Sequence, residues 1–214
     1  MASNINADLP AFGNATTASV RQNFVHAKAE IEALQLRISD LTPAEASIVQ
    51  LLTAHGFADY NDLATGLVAL SVSSSTWTKL TNDKLGPHTK EDHLPAGVTR
   101  VWDPATNQFK FNELPINTTL DGRFDLIVTT TAANQTLDLS AFVAVGSASA
   151  FEFPLMTSVL FKSVGTYKIA PFNGMYIGSA DVRNYPTEIK VKSDAACTIR
   201  VNGWYVRIVL PTGV

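Results

Sequence analysis

The chain has 214 residues, enough for one ordinary domain with an extension or for two small domains. Charged residues make up 16% and hydrophobic ones 46%, against roughly 25% charged in soluble proteins, so much apolar surface must be buried, yet no run approaches the roughly 18 apolar residues of a membrane span. A net charge of −3 excludes a general attraction to nucleic acid or anionic lipid, and the single Cys197 excludes an internal disulfide.

Residues 1–16 mix small, polar and helix-breaking residues with three isolated apolar ones, Ile5, Leu9 and Phe12. No periodicity fits them, and neither a basic segment nor an apolar core marks a secretion signal. Such a leader suits an extended peptide that orders only when it docks onto something larger.

From Val20 the pattern becomes regular. Apolar residues fall at Val20, Phe24, Ala27, Ile31, Leu34, Ile38 and Leu41, spaced alternately four and three apart, with no Pro or Gly between them. This is the heptad rhythm of a coiled coil, with Phe24, Ile31 and Ile38 at a and Val20, Ala27, Leu34 and Leu41 at d. Thr17 or Ser19 would cap the helix. Self-association through this seam is therefore expected. Phe24 and Ala27 depart from the Ile-and-Leu dimer pattern, and the facing g and e residues include no opposite-charge match, so the seam leaves dimer and trimer open.

Thr42-Pro43-Ala44-Glu45 predicts a second helix start, with Thr42 as N-cap and Pro43 in the first turn. This helix should end at Gly56, and a third is expected from Asn61 to Leu70, with Leu63, Leu67 and Leu70 on one face. A helix-turn-helix DNA reader is disfavoured, because Asn61 to Leu70 contains no Lys or Arg to meet phosphates. The coiled coil and hairpin together predict a helical stalk over residues 17–71.

Ser71 to Thr76 forms a polar joint, and beyond it the period changes to two. Phe109 and Phe111 alternate with polar neighbours; so do Phe124, Leu126 and Val128, then Ile189 and Val191, then Trp204, Val206, Ile208 and Leu210. These read as half-buried strands of antiparallel sheets. Asp121-Gly122, Asn173-Gly174 and Asn202-Gly203 are expected as two-residue hairpin turns. Residues 72–214 thus predict an all-β jelly roll or β-sandwich head, giving an α+β chain in sequence order: leader, helical stalk, β-domain.

Both halves resemble bacteriophage virion fibre and decoration proteins. The residues behind this are Thr16 to Gln35 in the stalk, and Leu94-Pro95-Ala96-Gly97-Val98, Arg123 to Thr131 and Val201-Asn202-Gly203-Trp204-Tyr205-Val206 in the head. The front segment is similar to helical stalks of phage head and tail appendages, and the back to trimeric jelly-roll fibre heads. The resemblance implies a structural homotrimer, located in the virion, anchored through Ile5, Leu9 and Phe12 to capsid, portal, neck or tail proteins. The stalk is shorter than in a long receptor-binding fibre.

Little in the chain carries chemistry. His88-Thr-Lys-Glu-Asp-His93 fits neither a helical His pair nor a zinc finger and reads as a loop. There is no Gly-rich phosphate loop, nucleophile elbow or Cys pair. Asp121, Asp125 and Asp138 are spread through strands and turns, and no glycosidase pair can be singled out. No enzyme activity, metal or cofactor is expected. The alternative is a receptor- or carbohydrate-binding fibre tip. Trp77, Trp102, Tyr176 and Tyr185 are its candidate aromatics, with Tyr176 and Tyr185 beside the Asn173-Gly174 turn as the preferred contacts for a host surface glycan.

Overall fold

The computed structural model describes residues 22–37 and 54–211. The chain divides into two compact units, Met1–Leu52 and Thr53–Val214. Of the first, helix α1 is described over residues 22–37, its surface carrying a Lys28–Glu32 pair at 3.8 Å. Val20, Ile38 and Leu41, the leader residues Ile5, Leu9 and Phe12, and most of the expected second helix lie outside the described residues.

The second unit is an antiparallel β-sandwich. In chain order it runs β1 (His55–Asn61), α2 (Ala64–Leu67), β2 (Leu70–Val72), β3 (Thr78–Lys79), β4 (Trp102–Asp103), β5 (Gln108–Phe109) and β6 (Thr119–Thr130). It continues with β7 (Gln135–Val143), β8 (Phe151–Phe161), β9 (Thr166–Ile169), β10 (Phe172–Tyr176), α3 (Ala180–Asn184), β11 (Glu188–Ser193) and β12 (Cys197–Val209). A six-stranded sheet has the order β1-β12-β6-β10, with β2 also pairing with β12 and β9 with β6. The facing sheet is β3-β11-β7-β8, and β4 and β5 form a separate ribbon.

The expected alternation is what folds the sandwich. Phe124, Leu126 and Val128 of β6 and Trp204, Val206 and Ile208 of β12 are buried, as are Ile189 and Val191 of β11. Their polar neighbours turn outward, so each strand offers one apolar face to the space between the sheets. An aromatic cluster fills it. Trp102 lies edge-on to Phe109 at 4.8 Å and to Trp204 at 5.5 Å, and Trp204 is edge-on to Phe124 at 5.4 Å, the geometry that ring quadrupoles favour. Asn82 is buried among them and fully engaged: its amide donates to Tyr60 O at 2.7 Å, and its own carbonyl accepts from Trp102 Nε1 at 2.8 Å.

Three expectations are corrected. The stretch Asn61 to Leu70 is not a helix: Asn61 ends β1, only Ala64–Leu67 makes a helical turn, and Leu70 starts β2. Its leucines have no partner surface there, since Leu63 and Leu67 are exposed, whereas pairing along β12 buries Ala58 and Tyr60. The single turn is held instead by carboxylates, with Asp83 accepting from Leu63 N and Ala64 N and Asp62 accepting from Ala64 N, all at 2.9 Å. In consequence the β-domain begins with His55 rather than at residue 72.

The three Asx-Gly pairs are not turns either. Asp121-Gly122 and Asn173-Gly174 lie opposite one another in β6 and β10, and Asn202-Gly203 sits inside β12 at a register shift between Val201 and Gly203. At Gly203 glycine is required by contact, since a Cβ would approach Asn61 Nδ2 and Tyr60 O to 2.8 Å. The third correction is Trp102, which is wholly buried and offers no face to a ligand.

Strand β8 forms the outer edge of its sheet. It carries Pro154, its pairing with β7 slips twice, and Ser158 adopts a left-handed φ of 50°.

Candidate functional site

The described part of the heptad seam is solvent-facing within one chain. Phe24 is 72% exposed, and Ile31 and Leu34 are each 55% exposed, while Ala27 is half-buried. Val25 and Leu36 beside them are also exposed. Such an apolar stripe is costly to leave in water.

On the β-domain the expected glycan contacts are both exposed, Tyr176 on β10 and Tyr185 at the end of α3. Among the described residues their rings make no contact with each other. Tyr176 shares the outward face of β10 with Phe172. Trp77 is edge-on to Phe142 at 5.2 Å, with the Lys192 ammonium 4.6 Å above its ring. It belongs to the polar outer face of the β11 sheet and packs there.

The acidic residues are occupied structurally. Asp121 pairs with Arg207 at 3.7 Å, Asp138 with Lys192 at 3.6 Å and Asp125 with Arg123 at 3.0 Å. Glu188 binds Lys79 at 2.7 Å, Lys190 at 3.0 Å and the Gln108 amide at 2.9 Å. Burial alone would raise the Glu188 carboxyl, but these hydrogen bonds more than offset it and hold it at about 2. Lys110 likewise holds Asp103 at about 2 within the β4–β5 ribbon. Burial raises Asp59, a push to which Asp125 adds and which Arg123 and His88 oppose.

The histidine segment is a loop that covers the outer edge of β1. Phe57 N donates to His93 O at 2.9 Å, Asp59 N to Lys90 O at 2.9 Å, and Lys90 N returns to Asp59 O at 2.7 Å. The His93 ring stacks on Phe57 at 4.7 Å. No group of three or more metal-ligating side chains gathers among the described residues.

Two hollows stand out. Between the sheets, a cavity of about 30 Å³ is lined by Phe109, Phe124, Leu155 and Met175 among others. It has room for about one water, and the Thr187 hydroxyl, buried without a hydrogen-bond partner, lines it. On the outer face of the six-stranded sheet, a pocket of about 400 Å³ is lined by Asn61, Asp125, Asn202 and Lys168. Sequence reasoning missed this pocket. Its signal was present: the buried positions of β12 run odd through Cys197, Ile199 and Val201, then even through Trp204, Val206 and Ile208. A change of parity inside one continuous strand marks a bulge.

The described residues define an antiparallel β-sandwich. A scan of protein-family models finds no match to the chain, and a search of curated proteins finds none. Among solved structures it is similar to a chain in the structure of infectious bursal disease virus Gx strain, with a TM-score of 0.42 and 6% identity over 74% of this chain and 32% of that chain. It is also similar to Eiger TNF from S. frugiperda, with a TM-score of 0.41 and 10% identity over 75% of this chain and 96% of that one. PRD1 vertex protein P5 gives a TM-score of 0.34 and 13% identity, covering 75% and 99%. This chain thus spans about a third of the bursal disease virus chain. At such identities and TM-scores, the likenesses carry no argument about what the chain does.

Among the described residues, no helix is long and apolar enough to cross a membrane.

Proposed function

We propose that this chain is a structural, non-enzymatic component of a bacteriophage virion, a short trimeric fibre or decoration protein. Its leader, through Ile5, Leu9 and Phe12, docks onto capsid, portal, neck or tail proteins. Its helix joins three copies, and its β-sandwich forms the head.

The observation that carries this reading is the exposed seam of α1, where Phe24, Ile31 and Leu34 are all more than half open to water. Moving each such side chain into a coiled-coil interface contributes part of the roughly 1.5–3 kcal/mol that full burial of such a residue is worth. A short stalk with an independent β-sandwich after it matches the resemblance of Thr16 to Gln35 and of the head segments to fibre and decoration proteins. That resemblance also favours three copies over two.

The test is the mass of the purified protein by multi-angle light scattering. The wild type should be a trimer, and the double variant Ile31→Asp, Leu34→Asp should fall to the monomer, because charges stranded in an apolar seam cost several kcal/mol (order of magnitude). An unchanged mass would remove the heptads from the interface. Deleting residues 1–16 should leave the trimer intact and abolish incorporation into particles. Full incorporation of the deletion variant would move the attachment point to the stalk or head.

A further inference from the structure

The Asn202-Gly203 bulge has a counterpart on the other side of β6. There the chain leaves β9 at Ile169 and re-enters the sheet as β10 at Phe172, with Pro171 O accepting from Phe124 N at 3.1 Å. Between these two irregularities lies the 400 Å³ pocket, with Asn61, Asp125, Asn202 and Lys168 around Ile169 and Ala170. Its volume is within the range of small-ligand sites. Gly203 makes room for it, since a side chain there would displace the Asn61 amide.

The polar groups are of four kinds and are partly pre-set. The Asp125 carboxylate is fixed by Arg123 Nε at 3.0 and 3.1 Å. The Asn61 amide donates to Asp59 at 3.0 Å, which leaves its second N–H and its oxygen available. The side chains of Asn202 and Lys168 are exposed and have no hydrogen-bond partner among the described residues. Two strand pairings further along, Arg123 lies over the Tyr205 ring at 5.6 Å, and Tyr205 lies 5.8 Å from Phe57. Tyr205 and Phe57 thus lie beside the pocket and not in its lining, because Asp125 pairs with Gly203 and Arg123 with Tyr205, and their rings are engaged by Arg123 and by His93.

We propose that this pocket binds one unit of a neutral oligosaccharide through that unit's hydroxyls. A sugar hydroxyl both donates and accepts, so vicinal hydroxyls can serve a carboxylate, two amides and an ammonium together. A simple anion would face Asp125, a simple cation would face Lys168 and Arg123, and an apolar segment would leave all four polar groups unpaired. The site is separate from Tyr176 and Tyr185. It does not rest on the virion reading and stands or falls independently of it.

The experiment screens the full chain against immobilised neutral hexose and N-acetylhexosamine oligosaccharides, with sialylated and uronate-containing ones alongside, and titrates the best binder by calorimetry. The expected result is saturable binding of a neutral glycan, weakened about tenfold by Asn202→Ala and by Lys168→Ala, the loss of about one hydrogen bond each. Tyr176→Ala and Tyr185→Ala should bind as the wild type does. Neither Asn202 nor Lys168 supports the fold through its side chain, so urea midpoints of both variants should match the wild type. Tyr205→Phe, outside the lining, should retain binding. Absence of saturable binding to every neutral glycan overturns the proposal. So does a preference for acidic glycans, or binding that Asn202→Ala and Lys168→Ala leave unchanged.

Discussion

The Thr65 hydroxyl sits where the β12 bulge would otherwise leave backbone groups exposed to nothing. On the side away from β6, between the ends of β1 and β2, no strand pairs with Val201, and Thr65 Oγ1 takes the place of one: it accepts from Val201 N at 2.9 Å and lies 3.0 Å from Val201 O. The hydroxyl's one proton is shared with Asp62 Oδ2 at 2.8 Å, so the group that depends on Thr65 outright is Val201 N. Thr65→Val keeps the shape and removes that acceptor; an unsatisfied buried backbone group costs about 1–3 kcal/mol, so this variant should lose about that much in urea unfolding, and Thr65→Ser should recover most of it. Glu188 gives a second test. Its folded value of about 2 lies below the ordinary 4.5, so its contribution is complete above pH 4.5 and is lost as pH falls through 2. Stability measured from pH 5 to pH 2 should fall in the wild type. Glu188→Gln should be less stable at neutral pH and show a shallower fall over that window.

At the scale of elements, several strands were legible from alternation, as Phe124-Leu126-Val128 and Trp204-Val206-Ile208 illustrate, while β1 and β7, which also bury one face, were not. Period two follows from the pleat and holds except where a bulge shifts it, as at Asn202-Gly203 in β12. The third helix was misread because Leu63, Leu67 and Leu70 repeat at helical spacing, while the deciding partner for His55–Asn61 lies far along the chain in β12. The Asx-Gly pairs misled for a related reason. Glycine serves a turn through its φ and a strand through its missing Cβ, and only the neighbouring strand says which. The pocket residues Asn61, Asp125, Lys168 and Asn202 come from four segments and share no local signature. Two substitutions separate the roles of glycine. Gly203→Ala drives a Cβ to 2.8 Å from Tyr60 O and should cost about 1–3 kcal/mol. Gly66→Ala, in the α2 turn with open space around it, should stabilise by about 0.4–1 kcal/mol. Thermal or urea unfolding of the pair reads both signs.

For the molecule as a whole, the division at Thr53 makes the sandwich a folding unit with its own aromatic core. A chain beginning at Thr53 should keep its β circular-dichroism spectrum and unfold in one transition. If the α1 seam is the contact between copies, it should also be monomeric where the full chain is not. Loss of the β spectrum would mean that residues 1–52 complete the core. For the helical unit, heptad spacing raises the expectation of association but leaves copy number open, since that would depend on how Phe24 and Ala27 pack in such an assembly.

The interrupted edge strand β8 bears on what happens when many copies are held close together. An open edge is a template on which another chain can add a strand. Pro154 supplies no N–H to such a ladder, and the slipped register and the left-handed Ser158 bend the rest out of line. β-Sandwich domains held at high local concentration would therefore lack a flat edge on which to zip into fibrils. Restoring a flat edge with Pro154→Val and Ser158→Thr should show the hazard that the native sequence avoids, as thioflavin-positive aggregates that grow with protein concentration while the wild type stays clear.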